Sequence, residues 1–350
     1  MASRETGVTH VLPFTRTVFM VGICLTIGTG IGLVALPDRT ADYWAWTIKA
    51  PLSAAFFGAG YIGAAISFAL AARTRDWQRT RTVLLAALAL TSVALFATLR
   101  HLDTFAFRDG GLPEAVAWIW LAVYVALPPL VLAAFLLQER AGGSREFGTL
   151  TAALPATRIA LGGAGLALAV IGIGLLAEST PLTERWPWPL PPLPASVLGG
   201  WLFTYAAAFL WFAVRERDWR RVRIGVGPAM ISFALDLVAA ARYRDDFRTG
   251  AETAAYIAGL AALLVVLGVA SYIEERRLRR RPADHETFIL AHAEQVTKAR
   301  SRLGSLMSGR RLHFALPDVI ERAALAEVSV TPRAGLEPAT LRLTAGCSAN

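Results

Sequence analysis

The sequence predicts an all-α membrane protein, a bundle of eight transmembrane helices in two parallel four-helix repeats. Three observations predict it. Charged residues make up 17% of the 350-residue chain, where a soluble domain of ordinary composition carries about 25%. The charges gather in short clusters between apolar runs. Each run is long enough, at about 1.5 Å per residue, to cross a hydrocarbon core of about 30 Å. The chain also repeats itself 142 residues apart. Trp44 and Trp46 return as Trp186 and Trp188, and Gly58 is matched by Gly200. Arg73-Thr-Arg-Asp-Trp-Gln-Arg-Thr-Arg81 returns as Arg215-Glu-Arg-Asp-Trp-Arg-Arg-Val-Arg223, and Arg100, Asp103 and Phe105 return as Arg242, Asp245 and Phe247. Between 44 and 105, paired without gaps, 18 of 62 positions are identical. Chance gives about one in ten for an Ala/Leu-rich chain, so the chain reads as an internal repeat.

Residues 1–16 read as a short cytoplasmic N-terminus carrying Arg4 and Arg16. The first span, 17–37, lacks a small-x-small cleavage site and is followed by further spans, which sets it apart from a signal peptide. Its Gly28, Gly30 and Gly32 leave a groove for a neighbouring helix. Spans at 51–72, 82–100 and 114–138 complete a first repeat over 17–138. A linker at 139–155 leads to a second repeat over 156–275, with spans at 156–177, 195–214, 222–241 and 252–274. Pro13 and Arg16 are answered by Pro155 and Arg158 at the same offset. The last span of each half aligns after a six-residue gap, Gln138-Glu-Arg140 with Glu274-Glu-Arg276. Four spans per repeat is an even number, so the second half enters the membrane in the direction of the first. The halves are then related by a pseudo-twofold axis along the membrane normal.

Basic residues orient the chain. With the N-terminus inside, cytoplasmic segments before the tail carry 14 Arg, and outer loops carry 8 Arg and Lys. The run Arg276-Arg-Leu-Arg-Arg-Arg281 adds five more inside, so both termini are expected in the cytoplasm of a multi-pass cell-membrane protein. The net charge of +9 therefore points to the bilayer, with anionic lipid at the basic loops and tail, and not to nucleic acid. Residues 276–332 read as a basic tail with an amphipathic helix over 284–308. Residues 333–350 resemble a translated transfer-RNA gene and are expected to be a disordered read-through end. The two cysteines, Cys24 and Cys347, form no metal or disulfide pattern.

Four groups of residues could carry chemistry. The pairs Trp44/Trp46 and Trp186/Trp188 precede the second and sixth spans, and Trp118 and Trp120 open the fourth. They fit an aromatic belt at headgroup level. They equally fit a cap over a cavity, because Trp186-Pro-Trp-Pro-Leu-Pro-Pro-Leu-Pro194 is a stiff extended segment. Arg100 with Asp103, and Arg242 with Asp245, are spaced three apart and can pair locally, with His101 beside the first pair. Asp236 lies inside the seventh span, where an acid is costly and must face protein or water; Arg242 or Arg100 is its expected neighbour. The twin Arg-Asp-Trp runs read as basic anchors with a fixed Asp between arginines. His101 is matched by Tyr243, so a paired-histidine haem site is not expected, and no cofactor or metal is assigned.

The segment Tyr43-Trp-Ala-Trp-Thr-Ile-Lys-Ala-Pro-Leu-Ser-Ala-Ala-Phe-Phe-Gly-Ala-Gly-Tyr61 resembles one found in uncharacterised polytopic bacterial membrane proteins. It is similar, more weakly, to the Trp/Pro segment of the tryptophan-rich sensory (translocator) protein family. That resemblance implies binding of an apolar ligand and covers about twenty residues. The family has five spans, against eight here.

The function expected is that of a non-enzymatic membrane protein that binds or transports a small apolar or cationic molecule. Trp44, Trp46, Trp186, Trp188, Arg100, His101, Asp103, Asp236, Arg242 and Asp245 are the candidate ligand-binding residues. A membrane scaffold or sensor with a cytoplasmic partner is the alternative, and a lipid-modifying enzyme using His101 and Asp103 a third. The composition leaves a homo-oligomer open.

Overall fold

Proline and aspartate decide where most of the helices begin. A computed structural model of the chain describes residues 10–141 and 152–307, with side chains as far as residue 279. In order the helices are α1 (Pro13–Ala35), α2 (Thr40–Tyr43), α3 (Pro51–Arg73), α4 (Trp77–Arg100), α5 (Gly111–Ala141), α6 (Pro155–Leu176), α7 (Thr180–Glu184), α8 (Pro192–Val214), α9 (Trp219–Arg242) and α10 (Ala251–Met307). Four long ones, α1, α3, α6 and α8, carry proline in the first turn, where its missing N–H would have had no intrahelical partner. All but α2 and α7 are long and apolar enough to cross a membrane. The chain is all-helical and is a multi-pass integral membrane protein.

The helix ends differ from the sequence expectation where capping acts. Helices α4 and α9 begin at Trp77 and Trp219, before the expected 82 and 222, because Asp76 accepts from Gln78 N at 3.0 Å and Asp218 from Arg220 N at 2.9 Å. The Asp inside each twin basic run is thus an N-cap that satisfies an orphan backbone donor. The following Trp is a buried first-turn anchor. Helix α8 begins at Pro192, so the segment expected to be extended over 186–194 gives its last three residues to the helix. Helix α10 runs unbroken through 276–283, where a separate tail helix was expected. The N-terminal residues 1–9, the linker residues 142–151 and residues 308–350, with the end expected to be read-through, lie outside the described residues.

One compact unit comprises Met1–Arg145 and Ala152–Glu274; a second comprises Glu146–Thr151 and Glu275–Asn350, of which α10's continuation is described. In the first unit α3, α4, α8 and α9 are the most buried helices, and α1, α5, α6 and α10 keep apolar residues such as Ile31, Ile119, Leu166 and Val265 exposed. An apolar exterior around a better-buried centre is what lipid as solvent allows.

Glycine lets the outer helices meet the inner ones. A Cβ on Gly30 would stand 3.1 Å from the Gly58 carbonyl oxygen, and one on Gly58 would stand 2.9 Å from that of Gly30. Helices α6 and α8 meet in the same way through Gly172 and Gly199, at 2.9 and 2.7 Å. Within the glycine run of α1 it is therefore Gly30 that makes the close approach, while Gly28 faces open space. The structural partner of Gly58 is Gly199, one residue short of the Gly200 that the 142-residue offset assigns. Gly200 instead faces Val93 of α4.

Several other contacts recur 142 residues apart. Val11 N donates to Arg75 O and Ala153 N to Arg217 O; Ala106 N donates to Ala45 O and Arg248 N to Pro187 O. Gln138 Oε1 accepts from Leu12 N (2.8 Å) and Thr15 Oγ1 (3.1 Å) at the start of α1. Glu274 Oε1 accepts from Leu154 N (2.6 Å) and Thr157 Oγ1 (2.8 Å) at the start of α6. The end of each half's last span thereby supplies what the start of its first span lacks.

Candidate functional site

The two Trp-x-Trp segments stand at the same end of the bundle. Trp188 Nε1 donates to Ser53 Oγ in the first turn of α3 at 2.8 Å, and Leu52 N donates to Asp246 Oδ2 at 3.1 Å. In the first half Trp46 packs edge-on against Trp44, Phe105 and Trp120, with centroids at 5.6, 5.1 and 5.0 Å. In the second half Trp188 packs against Trp186, Phe247 and Tyr256 at 5.4, 5.7 and 5.2 Å. Such edge-to-face contacts add to the area these rings bury. Five of the six expected belt residues are buried, and Trp118 alone of the six is exposed. For these five an aromatic belt is therefore the wrong description: their indoles pack inside the protein.

Tyr43 fixes the approach to the first pair. Its hydroxyl donates to Gly32 O at 3.0 Å and Leu36 O at 3.1 Å, taking up carbonyls at the end of α1, and burial pushes its phenol up to about 12. The phenol stays a donor at neutral pH, so Trp44 is held against the end of α1.

Below Trp44 a groove of about 140 Å³ runs between α1, α3, α4 and α5. Trp44, Trp120, Tyr61 and Tyr124 line one part of it, and Thr26, Phe68 and Thr91 another. Its polar wall atoms are mostly committed elsewhere. The Tyr61 and Tyr124 hydroxyls share a hydrogen bond of 2.7 Å, Trp120 Nε1 donates to Thr98 Oγ1 at 2.9 Å, and Thr26 and Thr91 donate to the carbonyls of Gly22 (2.7 Å) and Ala87 (2.8 Å). Trp44 Nε1, by contrast, is buried without a hydrogen-bond partner among the described residues, as are the Trp46 and Trp186 indole nitrogens. Among the described residues no charged side chain lines the groove.

The charged candidates do not gather there. Arg100 pairs with Glu178 at 2.6 Å, not with Asp103, and His101 Nε2 lies 3.0 Å from the same Glu178 oxygen and 3.4 Å from Ser196 Oγ. Arg242 lies over the Tyr243 ring at 5.1 Å, and Asp245 is exposed beside Arg244, so the expected Arg242–Asp245 pair is absent. Burial pushes the Tyr243 phenol up. The acid that does structural duty in that turn is Asp246. Asp236 is 3% exposed in α9 with Oδ1 unpartnered, within electrostatic reach of Tyr205 and Tyr256. The arginines expected beside it have the other partners just named. The Tyr205 hydroxyl is buried close to Ser232 without a well-formed hydrogen bond, and Ser232 Oγ donates to Pro228 O at 3.3 Å.

Sequence reasoning missed Glu178, Tyr61, Tyr124 and Tyr256. Tyr256 was within reach: it stands 136 residues after Trp120, the spacing that also relates Gln138 to Glu274. The Tyr61–Tyr124 pair joins two distant spans and has no local signature. Among the described residues no group of three or more His, Cys, Asp or Glu is placed to hold a metal ion. Compared with protein-family models, curated proteins and solved structures, the chain matches none.

Proposed function

We propose that this membrane protein binds a small, mainly apolar molecule in the groove of its first half. The observation that carries this reading is the wall itself, in which the aromatic hydroxyls and the threonines named above already have partners. A guest would lose hydration there without having to satisfy those groups. A cation would meet aromatic faces but no counter-charge, which favours the apolar over the cationic ligand. The charged candidates then serve the bundle's framework, and of the four candidate tryptophans Trp44 is the one that lines the groove, beside Trp120. The recurrence of contacts at offsets of 142, 141 and 136 residues supports two parallel four-helix repeats. The excess of arginine at the Arg-Asp-Trp end supports placing that end in the cytoplasm.

The second half suggests the test. The position matching Thr91 is Phe233, which is buried. Thr91→Phe therefore places in the groove a side chain that the fold already accepts in the other half. Mass spectrometry of the intact protein purified in mild detergent should find a small molecule bound to the native chain and absent from Thr91→Phe. Equal occupancy of both proteins, at equal thermal stability, would remove the groove as the binding site.

A further inference from the structure

We infer that the groove takes one linear hydrocarbon chain with a neutral hydrogen-bond acceptor at its Trp44 end, an amphiphile drawn sideways from the bilayer. This rests on the binding reading above and names the class of molecule.

Length is the first argument. The lining on α1 extends from Val18 to Thr29, and that on α5 from Val116 to Val131. At about 1.5 Å per residue these stretches are roughly 17 and 22 Å long, comparable with the roughly 15 Å that one leaflet contributes to the hydrocarbon core. A compact cavity of about 150 Å³ holds a single benzene. Here about 140 Å³ is drawn out along most of a leaflet, so the groove is narrow and shallow: one chain can lie along it with part of its surface still against lipid, whereas fused rings are too wide.

Polarity is the second. Along the length of the groove the donors of Thr26, Thr91 and Trp120 are engaged, and the Tyr61 and Tyr124 hydroxyls satisfy each other with one of their two hydrogens. At one end Trp44 is 6% exposed and its Nε1 lacks a partner. Thr29, half-buried, lines the groove one turn before Gly32, the residue that Tyr43 binds. A buried donor of this kind costs free energy until an acceptor reaches it. With no charged group in the lining, a carboxylate or phosphate head would be left uncompensated, whereas an ester or ketone carbonyl would not.

Access is the third. Ile119 on α5 is 58% exposed while lining the groove, and Val18, Gly22 and Leu25 on α1 are half-buried. The groove therefore opens on the flank that carries exposed Val21 and Val125, the face turned to lipid.

The test compares methyl palmitate, hexadecane and cholesterol on the delipidated full-length protein in detergent, read as adducts by native mass spectrometry. Methyl palmitate should bind one to one and roughly 2- to 10-fold more tightly than hexadecane, the effect of about one net hydrogen bond. Trp44→Phe should bring the ester down to the alkane's affinity without changing the alkane. Thr91→Phe should abolish both. The ester-to-alkane ratio is measured on the unaltered chain, so it decides the matter even where a variant fails to fold. Equal binding of ester and alkane overturns the acceptor-headed chain. Cholesterol binding that Thr91→Phe abolishes, without binding of either linear probe, overturns the linear chain but leaves the apolar site standing. No binding by any of the three sinks both readings.

Discussion

Arg100 Nε stands 2.6 Å from Oε1 of Glu178, joining the last turn of α4 to the turn that ends α6. Glu178 has φ +52°, the described non-glycine residue in the left-handed region. Its N–H donates to Leu175 O, and Ser179 N–H donates to Gly174 O. That is the helix-ending motif whose left-handed position usually falls to glycine. The chain has an acid there because the same carboxylate meets Arg100 and His101 in the other half. Two effects oppose each other. Glycine would relieve about 1 kcal/mol of backbone strain, while the half-exposed ion pair is worth about 0–1 kcal/mol. Glu178→Gln should therefore lower stability by up to about 1 kcal/mol, and Glu178→Gly should be nearly neutral. In an Arg100→Gln background, Glu178→Gly should stabilise. Thermal unfolding in detergent reads all three, and a destabilising Glu178→Gly in that background would show that the left-handed turn is unstrained.

The glycine contacts separate the two registers of the repeat. Gly58→Ala and Gly199→Ala each press a methyl against backbone at less than 3 Å, so each should cost about 1–3 kcal/mol by overpacking. Gly200→Ala meets only the Val93 side chain and should cost less. Gly28→Ala meets nothing and should gain up to about 1 kcal/mol from helix propensity. Measured melting temperatures should rise in that order, from Gly58→Ala and Gly199→Ala to Gly28→Ala; Gly200 proving more sensitive than Gly199 would return the register to a uniform 142.

Asp76 and Asp218 test whether the twin basic runs act as caps or as a charge network. Asp76→Asn keeps the acceptor for Gln78 N and should change little, while Asp76→Ala should cost about 1 kcal/mol. The Asp218 pair of variants should behave alike. Arg79→Gln breaks a 3.5 Å pair between part-exposed groups and should cost less than 1 kcal/mol. A larger loss for Arg79→Gln than for Asp76→Ala, by thermal or denaturant unfolding, would favour the network.

Much of the fold could be read from the sequence because lipid enforces long apolar runs, and because several contacts recur at a near-constant offset. The matched runs from Arg73 and Arg215 marked one end of the bundle, and the Trp pairs the other. The site was less legible. Trp44 was found for its type and position, but its role depends on Trp120 and Thr98 paying attention to each other across two spans, which no periodicity encodes. Arg100 was seen with the acid three residues away, since local spacing is all a sequence offers. Its actual partner, Glu178, lies 78 residues on in a loop that the repeat does not match. The single-residue shift between α3 and α8 escaped because Gly199 and Gly200 are adjacent, and identity scoring selects the one in phase.

Asp236 replaces the alanine found at the matching position, Ala94. Buried with one oxygen unpartnered, it gives the second half a polar group that the packing does not compensate. Asp236→Asn keeps the shape and removes the chance of an unpaired buried charge. The variant should fold and melt at or above the native temperature, and should leave occupancy of the groove unchanged because Asp236 does not line it. A loss of occupancy at unchanged stability would put the acid back into the binding site.

The Tyr61–Tyr124 hydroxyl pair lets the groove's dryness be tested by difference. Both residues are buried, and each is the other's partner at 2.7 Å. Tyr124→Phe leaves the Tyr61 hydroxyl buried and unpaired, which costs about 1–3 kcal/mol, and Tyr61→Phe does the same to Tyr124. Replacing both removes donor and acceptor together and changes shape little, so the double variant should be more stable than either single one. The resulting coupling should exceed 1 kcal/mol in a thermal or denaturant cycle. If the pair serves only to close off polarity in an apolar wall, the double variant should also bind methyl palmitate and hexadecane as the native chain does. Loss of both ligands with stability retained would mean that the hydroxyls themselves hold the guest.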